Sequence, residues 1–397
     1  MVPDLRQRFN NAFQKEVYNK YLNELDALYP GSLVFRVAET PVFVPKKFKD
    51  QMIGCCEHII DFMQQPGFMD KTNPAIPDAY RVGGDEGLPQ FICFDFGICE
   101  DSNGGYIPQL IELQGFPSLF GYQYFQDLII KNYFDIPGNF SSYFGEYSSE
   151  VYPELLKAII LDGHKPEEVV LLEIFPDEQK TRIDFYCTQA LTGITILCYT
   201  NLKSEGRKLF YEKENGSRQH IKRIYNRLIF DDLQQQELPD DLVDLKLPYE
   251  VEWCPHPNWF YRLSKFTLPF IHSPYVPPTS FLNDVKRWPE DLENYVLKPL
   301  FSFAGQGVII DVVKADLEKI EDPENWILQK KVQYADIIQT PDVPAKAEIR
   351  IFYFWLPGML RPQPVQNLGR LSKGKMIGVR YNADKEWVGG TLNFFEK

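Results

Sequence analysis

Nowhere in this chain do lysines and arginines form a dense run, and the formal net charge is -13. A general nucleic-acid surface needs local basic density, so that class is excluded, and a phosphate ligand would require a private cationic site. No apolar stretch reaches the roughly 20 residues of a spanning helix, and no charged-then-apolar leader follows Met1; the expectation is a cytoplasmic chain with no membrane partner. Cysteine is sparse: seven residues, an odd number with no CxxC pair. That pattern argues against a disulfide framework, a redox motif and a zinc site. Cys55 and Cys56 are adjacent, so on a helix they point about 100° apart and read as buried thiols rather than a metal clamp. His58, His164, His220, His256 and His272 lack metal-ligand spacing. Neither GxxxxGK[ST] nor GxGxxG opening a helix occurs, which removes the two commonest nucleotide templates. No repeat of fixed period is present.

What is there is a chain of 397 residues, 44% hydrophobic and 15% aromatic, enough to bury a large core in two or three packed lobes. Helical spacing runs from Arg6 to Leu28 and from Lys47 to Met63, with Pro30-Gly31 between. Met69 to Pro89, rich in Pro, Gly and Asp, reads as a long loop of the kind that borders sites. Two β-prone runs follow, Phe91 to Ile98 and Tyr106 to Gln114, flanking Asp-Ser-Asn-Gly-Gly, which is a hairpin signal. Alternation puts Cys93 and Asp95 on one face of the first strand, and Glu112 and Gln114 on one face of the second. The hairpin can therefore gather an aspartate, a glutamate and a glutamine on its less oily side. Two carboxylates on such a hairpin are costly to leave without a partner, which favours a metal.

From Glu150 the pattern becomes helix ("SEVYPELLKAIILDG"), strand ("EVVLLEIF"), helix ("DFYCTQALTG"), strand ("ITILCY"), the alternation of a small βα-type lobe. "KLFYEKENGSRQHIKRIYNRLIF" reads as a hairpin turning at Asn215-Gly216, and the acidic stretch from Asp231 to Pro257 as a linker. "NWFYRLSKFTLPFI" is expected to be helical up to its proline. The remainder reads as strands: "YVLKPL", "GVIIDV", "WILQKKV", "AEIRIFYFW" and "KMIGVRYN". The resulting division is 1–149, 150–252 and 253–397.

Lys298 lies at the end of an apolar run, then comes "SFAGQG", then a second apolar run. A glycine-containing bend between antiparallel strands can lie over a polyphosphate and offer backbone N–H groups without Cβ obstruction. Taken alone, the segment fits an ordinary hairpin with a surface lysine better than a phosphate flap. The order Lys265, Lys298, glycine loop, "WILQKKV" and then Glu348-x-Arg350 resembles the ATP-grasp superfamily. With Asp95 and "LIELQ" upstream, the order resembles the circularly permuted members related to glutathionylspermidine synthase, from about Phe91 to the end. Asn393 and Glu396 offer only a weak match to the acidic pair that ends an unpermuted chain.

The resemblance implies an α+β chain: a circularly permuted ATP-grasp fold with a small α/β pre-ATP-grasp lobe. It implies ATP and Mg2+ as ligands, with Asp95, Glu112 and Gln114 on the metal. Lys265, Lys298 and the loop residues Ser302, Ala304, Gly305, Gln306 and Gly307 would meet the phosphates, and Gln329, Lys331 and Val332 the adenine. Arg350, with Lys298, would act on the transferred phosphoryl group, with Arg370 a second arginine candidate and Ser118 a hydrogen-bonding one. Lys330 and Asp336 read as solvated. Relatives often carry arginine where this chain has Cys93, and asparagine where it has Gln114. No amidase-like cysteine/histidine domain precedes the hairpin. The activity implied is an ATP-dependent carboxylate–amine ligase acting on a small-molecule acid and amine: a peptide, amino acid or polyamine. The alternatives are a nucleotide-binding protein without ligase turnover, and a kinase on a similar scaffold. Each reading requires Asp95, Glu112 and Gln114 within roughly 10 Å of the Lys298 ammonium.

Overall fold

Strand alternation in the Phe91–Glu100 and Tyr106–Gln114 hairpin decides how the rest of the molecule packs. The computed structural model describes every residue of the chain except 85, 86, 234, 235, 302–306, 375, 376, 378–381 and 383. The hairpin forms the edge of a five-stranded antiparallel sheet, in the order Gly389–Thr391, Gln363–Ser372, Lys346–Phe354, Phe91–Glu100, Tyr106–Gln114. Ile92, Phe94, Phe96 and Ile98 share a core with Ile349, Ile351 and Tyr353 and with Met52, Cys55, Cys56, Ile59 and Ile60 of the helix Lys46–Met63. Fully burying each such side chain contributes about 1.5–3 kcal/mol, so this face fixes the register. The other face changes character along its length. Phe91, Cys93, Phe352 and Phe354 pack into a second apolar cluster, and beyond them come Asp95, Glu348, Arg350 and Arg370.

A four-stranded parallel sheet, ordered Glu252–Cys254, Arg223–Asn226, Val169–Glu173, Thr195–Cys198, forms the α/β lobe. Its strand Val169–Glu173 is buried throughout, as expected where both faces are covered. The sequence reading needs one correction here. The run after Asn215-Gly216 is not a single hairpin arm: Arg218–Ile221 pairs with Lys208–Glu212, while Arg223–Asn226 leaves to join the parallel sheet. Periodicity is continuous across Lys222, so alternation alone does not reveal the change of partner.

The third sheet, antiparallel, is ordered Thr279–Phe281, Trp326–Lys330, Tyr295–Pro299, Ile309–Ile310. It carries Lys298. Just past it, Glu100 N donates to Gln333 O at 2.8 Å and Ala335 N to Ile98 O at 2.9 Å, which fastens this sheet to the end of the first hairpin.

Two other expectations changed. Arg6 to Leu28 is two helices, Pro3–Ala12 and Lys15–Leu28, broken at Phe13 and Gln14. The helix expected from Asn258 stops at Arg262 and resumes as a 3-10 turn, Lys265–Phe270, with the Ser264 side chain accepting from Phe266 N at 3.2 Å. Gln363–Ser372, not among the expected strands, forms one; its Gln366 and Asn367 are fully buried and donate to Gln123 O and Ser142 O at 3.2 and 2.8 Å. "KMIGVRYN" lies mostly outside the described residues. Asn393 and Glu396 are structural: Asn393 bonds Asn367, and Glu396 accepts from Lys46 N at the start of the Lys46–Met63 helix. Among the described residues no helix is long and apolar enough to cross a membrane.

Candidate functional site

The charged end of the five-stranded sheet is a lattice of cross-strand pairs. Arg350, Asp95 and Glu112 stand opposite one another on three adjacent strands, and Glu348 stands opposite Arg370 in a neighbouring row. Asp95, 1% exposed, accepts from Arg350 Nε at 2.5 Å on Oδ1 and from Arg350 NH2 at 2.6 Å on Oδ2. Oδ2 also accepts from Arg370 NH2 at 2.6 Å. Arg350 NH1 donates to Ser118 Oγ at 3.1 Å, Arg370 pairs with Glu348, and Tyr334 OH donates to Glu348 at 3.0 Å. Burial alone would raise Asp95, but the two guanidiniums together hold its carboxyl below the usual range. Glu348 goes the other way, raised by burial in spite of Arg370. Arg350 and Arg370 are both raised by these carboxylates against the pull of burial.

Lys298 and Lys265 face this lattice. Lys298, 9% exposed, donates to Gln329 Oε1 at 2.6 Å and reaches Ile111 O, beside Glu112, at 3.5 Å. Burial pushes its ammonium down to about 8, partly countered by Glu112, while the neighbouring Lys265 pushes it further down. Lys265, also buried, donates to Leu300 O at 3.4 Å; burial lowers it too, with Glu112 and Asp231 opposing. Two cations are therefore held close together in a dry setting. Among the described residues the Glu112 carboxylate makes no hydrogen bond or ion pair.

A close approach of backbones holds the lysines to the hairpin. Gly115 N donates to Leu263 O at 3.0 Å, and a Cβ at Gly115 would lie 2.6 Å from Trp259 O. Gly115→Ala should therefore cost about 1–3 kcal/mol in denaturant unfolding and push the Lys265 segment away from Gln114. Unchanged stability would show that the contact yields.

The structure brings together Asp95, Glu112, Lys265, Lys298, Gln329, Arg350 and Arg370. Gln114 lies opposite Cys93, next in register to the Asp95–Glu112 pair. Asp95, expected on the metal, has both carboxylate oxygens taken by guanidiniums. Lys265, read as a helix lysine, is buried on the 3-10 turn. Gln329 is closed in by Lys298 and by Thr279 Oγ1, to which its amide donates at 2.9 Å. Lys331 pairs with Asp311 at 2.5 Å beyond the strand's end, with Val332 following. Gly307 takes φ 71°, which favours glycine, beside Pro299. Ser302, Ala304, Gly305 and Gln306 lie outside the described residues. Among those described, no three histidine, cysteine, aspartate or glutamate side chains gather as a metal site.

Sequence reasoning missed two groups at the C-terminal ends of the parallel strands. Arg227, 7% exposed, donates from NH1 to Ser118 O at 3.2 Å. Glu173 accepts from Ile174 N at 2.8 Å and is pushed up to about 8 by burial, against the pull of Arg227. Their positions are where α/β sheets bind ligands; the only signal was strand order, which the sequence did not disclose.

No protein-family model and no curated protein matches the chain. Among solved structures, it is similar to a glutathione synthetase like-effector from Globodera pallida, determined in apoform. The TM-score is 0.57 at 12% identity, over 96% of this chain and 97% of that one. The two share a fold.

Proposed function

We propose that the chain is an ATP-dependent carboxylate–amine ligase with a permuted ATP-grasp arrangement. One observation carries the reading: the buried Lys298 ammonium reaches the acidic hairpin at Ile111 O, close to Lys265 and beside Glu112, which is unpaired among the described residues. A triphosphate between the two ribbons would set counter-charge beside the buried Lys298 ammonium. The fold shared with a glutathione synthetase-like protein supports it.

In this chemistry a substrate carboxylate oxygen attacks the γ-phosphorus of ATP and ADP leaves. An amine nitrogen then attacks the acyl phosphate carbon, phosphate leaves, and the amine gives up one proton. Alignment and charge stabilisation do most of the work. Lys265 and Lys298 neutralise phosphate oxygens. Arg370, with a side chain 34% exposed against 11% for Arg350, is the arginine better placed to meet a ligand. Arg350 then holds Asp95 and Ser118 in place, and Arg227 adds a cation behind Ser118 for an acid. Magnesium, when bound, supplies neutralising charge across the phosphates. The uncommitted oxygens of Glu112 and Gln114 suit that hard ion, while Asp95 as placed does not.

The commitment of Asp95 to arginines favours the second reading, nucleotide binding without turnover. Incubation with ATP and mixed pools of carboxylates and amines separates the cases. A ligase releases ADP and phosphate only when both pools are present. A kinase gives ADP with no amine and no free phosphate. ADP affinity with no turnover in any pool leaves the binding protein.

A pH prediction follows from Lys298. A polyanion needs its charged form, so the ADP dissociation constant should rise toward tenfold per pH unit above about 8. Stability should move oppositely. The unfolded chain keeps that proton to about 10.4 and binds more protons over the interval, so this group's contribution grows as pH rises from about 8. Calorimetric titrations at pH 7, 8 and 9 check the first part; a flat affinity contradicts it.

A further inference from the structure

Behind Ser118, three fully or nearly buried groups, near enough to influence one another electrostatically, carry unused hydrogen-bonding capacity. Among the described residues Arg227 Nε closes no hydrogen bond of normal geometry, although NH1 is fixed on Ser118 O at 3.2 Å and the guanidinium lies 5.5 and 5.2 Å from the ring centroids of Phe116 and Phe185. Asp184, on the first turn of the helix Arg182–Thr192, accepts from Tyr122 N at 3.0 Å with Oδ1 and lies against the Gly121 N–H; among the described residues its Oδ2 closes no hydrogen bond of normal geometry. The Tyr225 hydroxyl lies against the Arg227 side chain and feels Asp184, yet among the described residues it closes no hydrogen bond of normal length and angle. Among the described residues, Arg227 has no carboxylate within ion-pair distance. Each buried polar atom left unsatisfied costs about 1–3 kcal/mol. Such groups in native proteins find a partner, commonly a water making about three hydrogen bonds.

We propose that Arg227 Nε, Asp184 Oδ2 and the Tyr225 hydroxyl close around one buried water, and that Asp184 acts through it as the positioning residue for Arg227. The water accepts from Nε–H and donates to Oδ2, leaving one donor and one acceptor for the phenol. Arg227 then holds Ser118 by its carbonyl, and Ser118 holds Arg350 by its hydroxyl. A residue remote from any ligand thus sets the geometry of the Arg350–Asp95 pair. The water site stands on these contacts; its consequence for ligand binding rests on the function proposed above.

Burial pushes the Asp184 carboxyl up to about 6, opposed by Arg227. The other titratable groups influenced by it, Tyr225, Tyr152 and Cys187, are all raised by burial and stay neutral. With a folded value above the unfolded one, Asp184's contribution to stability is complete below about 3.9 and is lost as pH rises through about 6. Its ionised form is therefore kept at a cost.

A crystal structure of the full chain tests the site. The expected result is an ordered water within about 3.2 Å of Arg227 Nε and Asp184 Oδ2; a direct ion pair or a dry contact there overturns it. Asp184→Asn tests the positioning role. Thermal melts should show no loss of stability at pH 7 and no decline between pH 4 and 6. The Arg227 Nε–H resonance, slow to exchange in the native chain, should broaden or shift in the variant. An unchanged resonance, or equal destabilisation at every pH, removes Asp184 from that role. Should Asp184→Asn fail to fold, Arg227→Lys keeps the charge but lacks Nε, and must lose the water while Asp184 remains. Neither readout depends on ATP, so failure of the ligase reading leaves these outcomes distinguishable.

Discussion

Lys298→Met is expected to weaken ADP binding by about 100-fold, roughly 2.7 kcal/mol, while the fold stays at least as stable. The ammonium is buried, and burial pushes it down to about 8, so the native state holds this charge at a cost of roughly 3 kcal/mol. Methionine keeps the stem and removes the charge, so the penalty goes with it. A purely structural lysine behaves differently: its replacement leaves ADP affinity unchanged, and the loss of the donor to Gln329 Oε1 and Ile111 O shows only in stability. Isothermal titration with ADP, beside a urea melt, separates the outcomes. A stable variant with native affinity removes Lys298 from the ligand site.

Asp95→Ala is expected to destabilise the chain by about 3–5 kcal/mol. The carboxylate is the only one within ion-pair distance of Arg350 among the described residues, and it shares Arg370 with Glu348. Taking it away leaves a buried guanidinium with Ser118 alone, and an uncompensated buried charge costs more than the pair ever contributed. Such a loss is a large share of the 5–15 kcal/mol that holds a typical domain. Because Asp95 is held below the ordinary carboxylate range, its stabilising share is complete above about 3.9 and disappears as pH falls through the folded value. The double variant Asp95→Ala with Arg350→Met should recover much of the loss. If Asp95→Ala unfolds at the native urea midpoint, the arginine pairs are surface-like and the lattice is not the foundation described above.

Much of this arrangement was legible in the chain. The hairpin, its turn and its charged face followed from alternation, because one face of Phe91–Glu100 is committed to the core and fixes the other. The confrontation of Lys298 with Glu112 was reachable only through the order of elements, which a family resemblance supplies and periodicity does not. The engagement of Asp95 was hidden for a physical reason. Arg350 and Arg370 lie 255 and 275 residues away in the chain, and only strand register places them opposite Asp95 or diagonal to it. Arg227 was hidden because Arg223–Asn226 and Arg218–Ile221 read as one strand, though only the first enters the parallel sheet. Polar strands such as Gln363–Ser372, whose buried amides satisfy backbone carbonyls, give no hydropathy signal at all.

On the function proposed above, a polyphosphate lies between the Lys298 sheet and the Glu112 hairpin. A crystal structure with a non-hydrolysable ATP analogue and Mn2+ tests it most directly. Phosphate oxygens are expected within about 3 Å of the Lys298 and Lys265 ammoniums, and the metal on Glu112. Analogue bound elsewhere, with Lys298 still on Gln329 and Ile111, would contradict it.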